Sequence, residues 1–306
     1  MKSHHSFISN DENFITYFNN SCFCKNFKFL IFVNLYYIKS YMDSINKYLS
    51  NYYSNYDENG RLEQKYGQVE FLTTMRYIEK YLAPSANIIE IGAGTGQYSK
   101  TIAEMGFTIE SVELLQSNID IFKENLKPDH KIRLSQGNAL DLSEFNNECF
   151  DITLLLGPMY HLYTIEDKKQ ALSEALRVTK TGGVLFVAYC ISDGSIVLSG
   201  FQRKLFDIKE YIKLGKINPE TFDTFSLPED IFELVRKEDI DELISNFSVK
   251  RLHYVSTDLF TRYIADTINA MNDDEFSLYL KYHFSICERT DMLGVSHHSL
   301  DILRKI

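Results

Sequence analysis

The chain lacks a basic surplus. Its 306 residues include 32 Lys and Arg against 42 Asp and Glu, a formal net charge of −10. Broad phosphate-driven binding needs a basic face, so no nucleic-acid partner is expected. A long apolar run is also missing. The strongly apolar stretch of the first forty residues, "FKFLIFVNLYYI" at 27–38, is 12 residues long, against about 20 for a spanning helix. No small-residue cleavage site follows it, so neither stable membrane insertion nor a secretory leader is expected. A cysteine framework is absent too. The five cysteines, Cys22, Cys24, Cys149, Cys190 and Cys287, are odd in number and irregularly spaced. They read as reduced thiols of a cytoplasmic protein. Cys22-Phe-Cys24 lacks the two-residue spacer of zinc and redox pairs.

The first forty residues contain no Gly or Pro and are rich in Phe, Tyr, Asn and Ser. Composition shifts at Met42, where "MDSINKYLSNYYSNYDENGRL" looks like an ordinary start. Residues 1–41 are therefore expected to be an extension, dispensable and either disordered or outside the native product. Residues 42–306 form the domain, long enough for a sizeable core.

Within that domain, apolar residues at helical spacing predict N-terminal helices over 42–82, ended by Pro84. Strands are then predicted at 88–91, 108–114, 132–137, 150–157 and 184–191, with helices at 97–105, 117–125 and 165–178 between them. Such alternation over five strands predicts a parallel sheet with helices on both faces. Residues 195–245 read as a mostly helical cap insertion, and strands at 247–257 and 298–306 close the chain. The expected fold class is α/β, Rossmann-like. It has a seven-stranded sheet, mostly parallel with one antiparallel strand near the C-terminus, and a helical cap.

Strand one runs into "IIEIGAGTGQYS". Gly92, Gly94 and Gly96 are spaced G-x-G-x-G, one residue tighter than the dinucleotide fingerprint, and the acid Glu90 leads them. Glycine there lets the backbone take positive φ and approach a ligand. A second acid, Glu113, ends the second strand about twenty residues on, where a carboxylate can accept from vicinal hydroxyls. The turn "QGNALDL" follows the third strand, and "RVTKTGGVLFVA" leads into the fifth. Its Gly182-Gly183 pair is a structural turn.

Loop, acid and third turn together resemble class I S-adenosylmethionine-dependent methyltransferases, over roughly Met42 to Ile191 by motif and to the C-terminus by layout. The resemblance implies S-adenosyl-L-methionine as cofactor and methyl transfer as activity. It places the glycine loop beside the methionine part of the cofactor, Glu113 on the ribose hydroxyls and Asn138 at the adenine amino group. The family commonly has Asp in that last place; the amide oxygen of Asn138 can accept the same bond without charge. Ala139 and Leu140 would flank the adenine, with Asp141 a weaker candidate for its amino group. Ala93, Leu114, Leu156 and Gly157 complete the implied cofactor set.

A sulfonium methyl is already electrophilic, so placement and water exclusion supply most of the catalysis. The fourth strand ends in "GPMYHLY", beside the glycine loop, where ligands sit in such sheets. His161 is the candidate general base, since its ordinary pKa is near neutral. The alternative is a core or capping histidine held by a backbone carbonyl. Tyr160 is a second catalytic candidate or a wall of the pocket. Tyr52, Tyr53, Tyr56 and Arg61 are candidate lid residues. Phe201, Phe206, Tyr211, Phe222 and Phe225 would line an apolar acceptor pocket. His283 and Cys287, four apart, with His297-His298 nearby in sequence, lack a convincing third ligand, so no metal is expected. The partner expected is a small-molecule methyl acceptor. Two other readings stay open: a non-catalytic cofactor-binding regulator, and a nicotinamide oxidoreductase.

Overall fold

The computed structural model describes Tyr41, residues 43–56 and residues 58–306. The expectations for 1–40 and for Met42 as the start lie outside the described residues. The chain divides into Met1–Ser44 and Ile45–Ile306; the fold is that of the second unit. Helices α1 (43–53), α2 (Glu58–Glu63) and α3 (Lys65–Tyr81) precede the sheet. Then come β1 (Ile88–Ile91), α4 (Gln97–Glu104), β2 (Ile109–Glu113), α5 (Gln116–Glu124), β3 (Ile132–Gln136) and β4 (Phe150–Leu155). After β4 follow α6 (Ile165–Val178), β5 (Thr179–Ile191), α7 (Ser192–Ser195), α8 (Ile208–Lys213), β6 (Leu234–Val235) and α9 (Lys237–Ile244). The chain ends with β7 (Val249–Ser256), α10 (Ala265–Ala270), α11 (Asp273–Ile286) and β8 (His298–Lys305).

The strand order is β3-β2-β1-β4-β5-β8-β7, with β6 pairing β5 off that path. β1 pairs β2 and β4 in parallel, and β8 runs antiparallel to both β5 and β7. The expected seven-stranded layout with one antiparallel strand is present. The short β6 is an eighth strand, paired in parallel with Cys190 and Ile191 at the end of β5.

Both faces of the sheet are covered, which is why β1 is apolar without alternation apart from Glu90. Successive side chains point to opposite faces. Ile89, Ile91, Leu155, Leu185 and Val187 pack with Ala171, Leu172 and Ala175 of α6 and Ile240 and Leu243 of α9. Ile88, Ile152, Leu154, Val184 and Phe186 pack with Met75 and Ile78 of α3, Ile102 of α4 and Ile286 of α11. Side-chain caps set several helix starts. The Thr164 hydroxyl accepts from the Asp167 amide, and Asn272 with Glu275 forms a reciprocal pair at α11.

Two segments differ from the sequence expectation. "TKTGG" is the irregular start of β5. Thr179 already pairs with Phe150, and Gly182, at φ 83°, precedes regular pairing from Val184. The 195–245 insertion is less helical than its apolar spacing predicts. Its residues 196–202 form a π-helix, and α8 is confined to six residues between an Asp207 cap and Gly215 at φ 74°. Residues 227–244 hold a 3-10 turn, β6 and α9 rather than one helix. Local caps, Gly215 and Pro228 break the helical period that the apolar spacing alone suggests.

Candidate active site

The glycine loop crosses the carboxyl end of β1, and all three glycines have positive φ: Gly92 at 73°, Gly94 at 56° and Gly96 at 80°. Each has a different reason for lacking a side chain. A Cβ on Gly92 would lie 2.6 Å from the Pro158 ring, and one on Gly96 2.2 Å from the Phe122 ring. A Cβ on Gly94 would meet nothing within 4 Å, so its space is open. Gly157, at the end of β4, brings its own backbone against the Gly92 carbonyl, 3.0 Å from where a Cβ would stand. The Gly92 and Ala93 amides both donate to the Val112 carbonyl, at 2.8 and 3.0 Å.

Two carboxylates support the loop from below. Glu90 is buried and its carboxyl accepts from the Ser99 hydroxyl, which also contacts Ser111 Oγ at 2.7 Å. Burial pushes the Glu90 carboxyl up to about 8, so it ties α4 to the sheet in a largely protonated form at neutral pH. Its side chain is turned toward Ser99 and Ser111. Glu113 is also buried. Its Oε2 accepts from the Gly94 amide at 2.8 Å, and its Oε1 from the Leu115 amide and Asn118 Nδ2 at 3.0 and 3.1 Å. Those bonds use three of the roughly four lone-pair sites of a carboxylate. Leu114 follows, half-buried, and its carbonyl accepts from Gln136 Nε2.

The third turn is self-contained. Asn138 Oδ1 accepts from the Leu140 amide at 3.0 Å, and the Asn138 carbonyl from the Asp141 amide at 2.9 Å. Asp141 is exposed and caps Ser143, while Ala139 is buried. Leu156 is buried at the end of β4.

Beyond β4, a 3-10 turn over Pro158–His161 carries the polar tail. His161 Nδ1 lies 2.9 Å from the Ile231 carbonyl, and its Nε2 lies 2.8 Å from the Tyr53 hydroxyl. A carbonyl only accepts, so Nδ1 holds the ring proton and Nε2 accepts from Tyr53. Burial pushes the imidazole down to about 4, so it is neutral at physiological pH. Around it stand Tyr160, Phe232 and Tyr53, with ring centroids at 4.8, 5.6 and 5.7 Å. Tyr52 packs edge-on to Tyr53 and Phe232 and stacks on Tyr56. The lid tyrosines and the β4 tail therefore meet. Arg61 turns elsewhere: its guanidinium pairs with Glu70, Nη1 to Oε2 at 2.7 Å.

Phe232 and Ile231 carry no signal in the sequence. They reach His161 because β6 docks on β5, because Lys168 of α6 pairs with Glu233 at 2.5 Å, and because the Glu233 amide donates to the Tyr160 carbonyl.

A second polar group forms where β7 ends and β8 begins. Glu70, Asp258 and His298 bring ligand-type atoms within 4.8 Å of one another. His298 Nδ1 is 2.8 Å from Asp258 Oδ2 and 3.3 Å from Glu70 Oε2. Asp258 Oδ1 also takes the Ser296 hydroxyl and the His297 amide, and Arg61 takes Glu70. The two carboxylates thus already have cationic and hydrogen-bonding partners. The grouping expected to be considered for a metal, His283 and Cys287 with His297-His298, does not assemble. Cys287 Sγ instead lies 3.6 Å from the Tyr77 hydroxyl. Cys149, Cys190 and Cys287 are free thiols.

Among the described residues no helix is long and apolar enough to cross a membrane. Residues 89–187 match the model of a methyltransferase domain family. A demethylmenaquinone methyltransferase of Renibacterium salmoninarum is 31% identical over 105 residues, covering 34% of this chain and 41% of that protein. A ubiquinone biosynthesis O-methyltransferase of Rickettsia typhi is 25% identical over 159 residues, 50% of this chain and 59% of that one. The chain thus spans about half the length of the curated relatives it matches. The solved structure of a SAM-dependent methyltransferase from Methanosarcina mazei shares the fold at a TM-score of 0.51 and 18% identity, over 75% of this chain and 97% of that one. Residues 89–187, which include the tight glycine loop after β1 and the acid that ends β2, thus carry a methyltransferase domain of the S-adenosylmethionine-dependent type.

Proposed function

We propose that this protein transfers the methyl group of S-adenosylmethionine to a small-molecule acceptor, with the acceptor held between the β4 tail and the lid. The observation that carries this reading is the open space above Gly94, at the same sheet end as a histidine whose Nε2 lone pair faces a hydroxyl. The residues present fit the cofactor. Gly94 leaves room, Gly92 and Gly157 bring two strand ends together, and Glu113 retains lone-pair capacity for a ribose hydroxyl. Ala139 offers an apolar wall, with Asn138 beside it. When bound, S-adenosylmethionine supplies an electrophilic methyl on a positively charged sulfur.

The chain's own part is positioning and proton removal. His161 is fixed by the Ile231 carbonyl in the tautomer that leaves Nε2 as acceptor. The Tyr53 hydroxyl marks where an acceptor O–H or N–H would donate to it. Because burial holds the imidazole neutral down to about pH 4, Nε2 is available across the physiological range. It takes the acceptor's proton as the acceptor atom attacks in line. Tyr52, Tyr53, Tyr56 and Phe232 exclude water, and Tyr160 walls the pocket next to Gly157. Holding the reactants in line lowers the barrier by up to ~7–11 kcal/mol, and a general base adds ~10²–10⁴-fold.

The test has two parts. S-adenosylhomocysteine should raise the melting temperature and NADPH should not; stabilisation by NADPH alone would refute the family chemistry. Labelled methyl should then pass from the donor to a small molecule in a cell extract. No transfer despite cofactor binding would favour a non-catalytic regulator. Once an acceptor is known, His161→Ala should lower turnover by ~10²-fold or more with S-adenosylhomocysteine affinity unchanged. Unchanged turnover would make His161 a structural residue.

A further inference from the structure

β8 runs antiparallel, so its first residue lies at the carboxyl end of the parallel strands, and His298 pairs with Cys190. β6 pairs with Cys190 and Ile191 of the same strand end. The His161 turn follows β4 and His298 opens β8, so the two clusters belong to the strands on either side of β5, which lie two strand spacings, about 10 Å, apart.

Around His298 the charges do not balance. Glu70 is paired with Arg61, and the Asp258 carboxylate is filled by His298, Ser296 and backbone amides. Arg262 Nη1 lies 3.5 Å from His298 Nδ1, a guanidinium apposed to an imidazole that two carboxylates hold well above its usual pKa. Arg262 forms no ion pair among the described residues, and its buried Nε has no hydrogen-bond partner. Arg203, exposed at the rim, donates to the Arg262 carbonyl at 3.2 Å and forms no ion pair among the described residues either.

Two further polar atoms are orphaned nearby. His297 is only 6% exposed; its Nδ1 meets Ser195 Oγ at 3.2 Å, while its Nε2 has no partner. The buried Ser192 Oγ is likewise unpaired. Among the charges around His297, Asp258 is negative and Arg262, His298 and Arg203 are positive. Apposed cations and unpaired buried polar atoms are both costly, and a single group relieves both: an anion that accepts from the guanidinium, from the Ser192 hydroxyl and from His297 Nε2 in the tautomer whose Nδ1 accepts from Ser195. A metal cation would add to the surplus rather than relieve it.

We propose that Arg262, His298, His297 and Ser192 form a site for an oxyanion, a carboxylate or a phosphate, borne by the methyl acceptor. The proposal rests on the transferase reading above, and it narrows the acceptor to an acid. The reacting atom would lie at His161 and the oxyanion on the far side of the β5 tip. The arrangement suits an aromatic or short alkyl acid that spans that gap, with its apolar body against Phe232 and Tyr160.

The test is calorimetric titration of the full chain saturated with S-adenosylhomocysteine, using benzoate, phenyl phosphate and the neutral benzamide as probes. At least one anion should bind about tenfold or more tighter than benzamide, a ratio typical of charge-assisted hydrogen bonds. The tighter of the two tells carboxylate from phosphate. Arg262→Gln should weaken anion binding by about tenfold or more, leaving S-adenosylhomocysteine binding unchanged and the anion-free melting temperature no lower, and Arg262→Lys should recover part of the loss. Anions binding no better than benzamide would overturn the proposal, as would an Arg262→Gln protein that keeps its anion affinity. Should Arg262→Gln fail to fold, Arg203→Gln at the exposed rim should still weaken anion binding several-fold, and no change there would overturn the proposal. Failure of the wild-type chain to bind S-adenosylhomocysteine would strike the transferase reading instead.

Discussion

Gly94 and Gly96 stand two residues apart in one loop, and alanine at each should fail in opposite ways. Both have positive φ, 56° and 80°, so each substitution forces an L-residue into the left-handed region at ~1–2 kcal/mol. A stiffer unfolded chain returns ~0.4–1 kcal/mol of that. At Gly96 the new methyl would lie 2.2–2.5 Å from three carbons of the Phe122 ring. Phe122 is fully buried, so the ring has no free space to enter, and overpacking adds ~1–3 kcal/mol. At Gly94 the methyl meets no protein atom within 4 Å. It would occupy the space assigned to the cofactor. Gly96→Ala should therefore lose ~2–4 kcal/mol, a melting decrease of several degrees at ~2–4 °C per kcal/mol. Gly94→Ala should lose ~1 kcal/mol or less in stability but bind S-adenosylhomocysteine at least ~10-fold more weakly, which corresponds to 1.4 kcal/mol. Thermal melts with and without S-adenosylhomocysteine, followed by calorimetric titration, read both effects. A Gly94→Ala protein with wild-type affinity would refute the assignment of that open space. A Gly96→Ala protein as stable as wild type would refute the packing argument.

Other outcomes follow from buried charges. Lys168 and Glu233 are paired at 2.5 Å with their side chains 11% and 13% exposed. Lys168→Met leaves the carboxylate unpaired and should destabilise by ~3–5 kcal/mol, whereas Lys168→Met with Glu233→Leu should recover most of the loss. A mild single mutant in urea denaturation would show that the pair does not anchor 231–235. The pH dependence has a defined direction. Burial holds His161 and His283 down to about 4 and His297 to about 3, below the unfolded value of ~6.5. The unfolded chain takes up these protons first, so their contribution is complete above ~6.5 and falls as pH drops through 6.5 toward 4. His298 runs the other way. Two carboxylates raise it, so its contribution is full below ~6.5 and fades as pH rises through its elevated pKa. Urea midpoints should therefore fall between pH 6.5 and 4. His283→Leu should flatten the fall, and an unflattened curve would contradict the assignment.

Much of the fold was legible because its signals are local. The alternation of apolar strands and amphipathic helices reports a sheet covered on both faces, and β1, β2, β3 and β4 lie within a residue or two of their expected spans. The glycine loop was legible because positive φ and close approach leave few alternatives to glycine. The His161 turn was legible in place but not in state: the sequence offered a base or a held histidine. The structure shows a ring that is held by the Ile231 carbonyl and still presents an acceptor nitrogen. The cap was less legible, since short-range caps and breakers such as Asp207 and Gly215 divide an apolar pattern that otherwise continues as helix.

By itself the sequence determined the layered α/β architecture, the glycine turn with its supporting acids, and the methyltransferase domain of residues 89–187. Those features depend on residues within one strand–turn–helix unit, where spacing translates directly into geometry. Only the tertiary structure decided which distant side chains meet. Tyr53, Phe232 and His161 come together from three segments, as do Glu70, Asp258 and His298. β6 docking on β5, and β8 running against its neighbours, bring those segments to one end of the sheet. No local spacing encodes that meeting, because it is set by strand order and by the burial that strand order imposes.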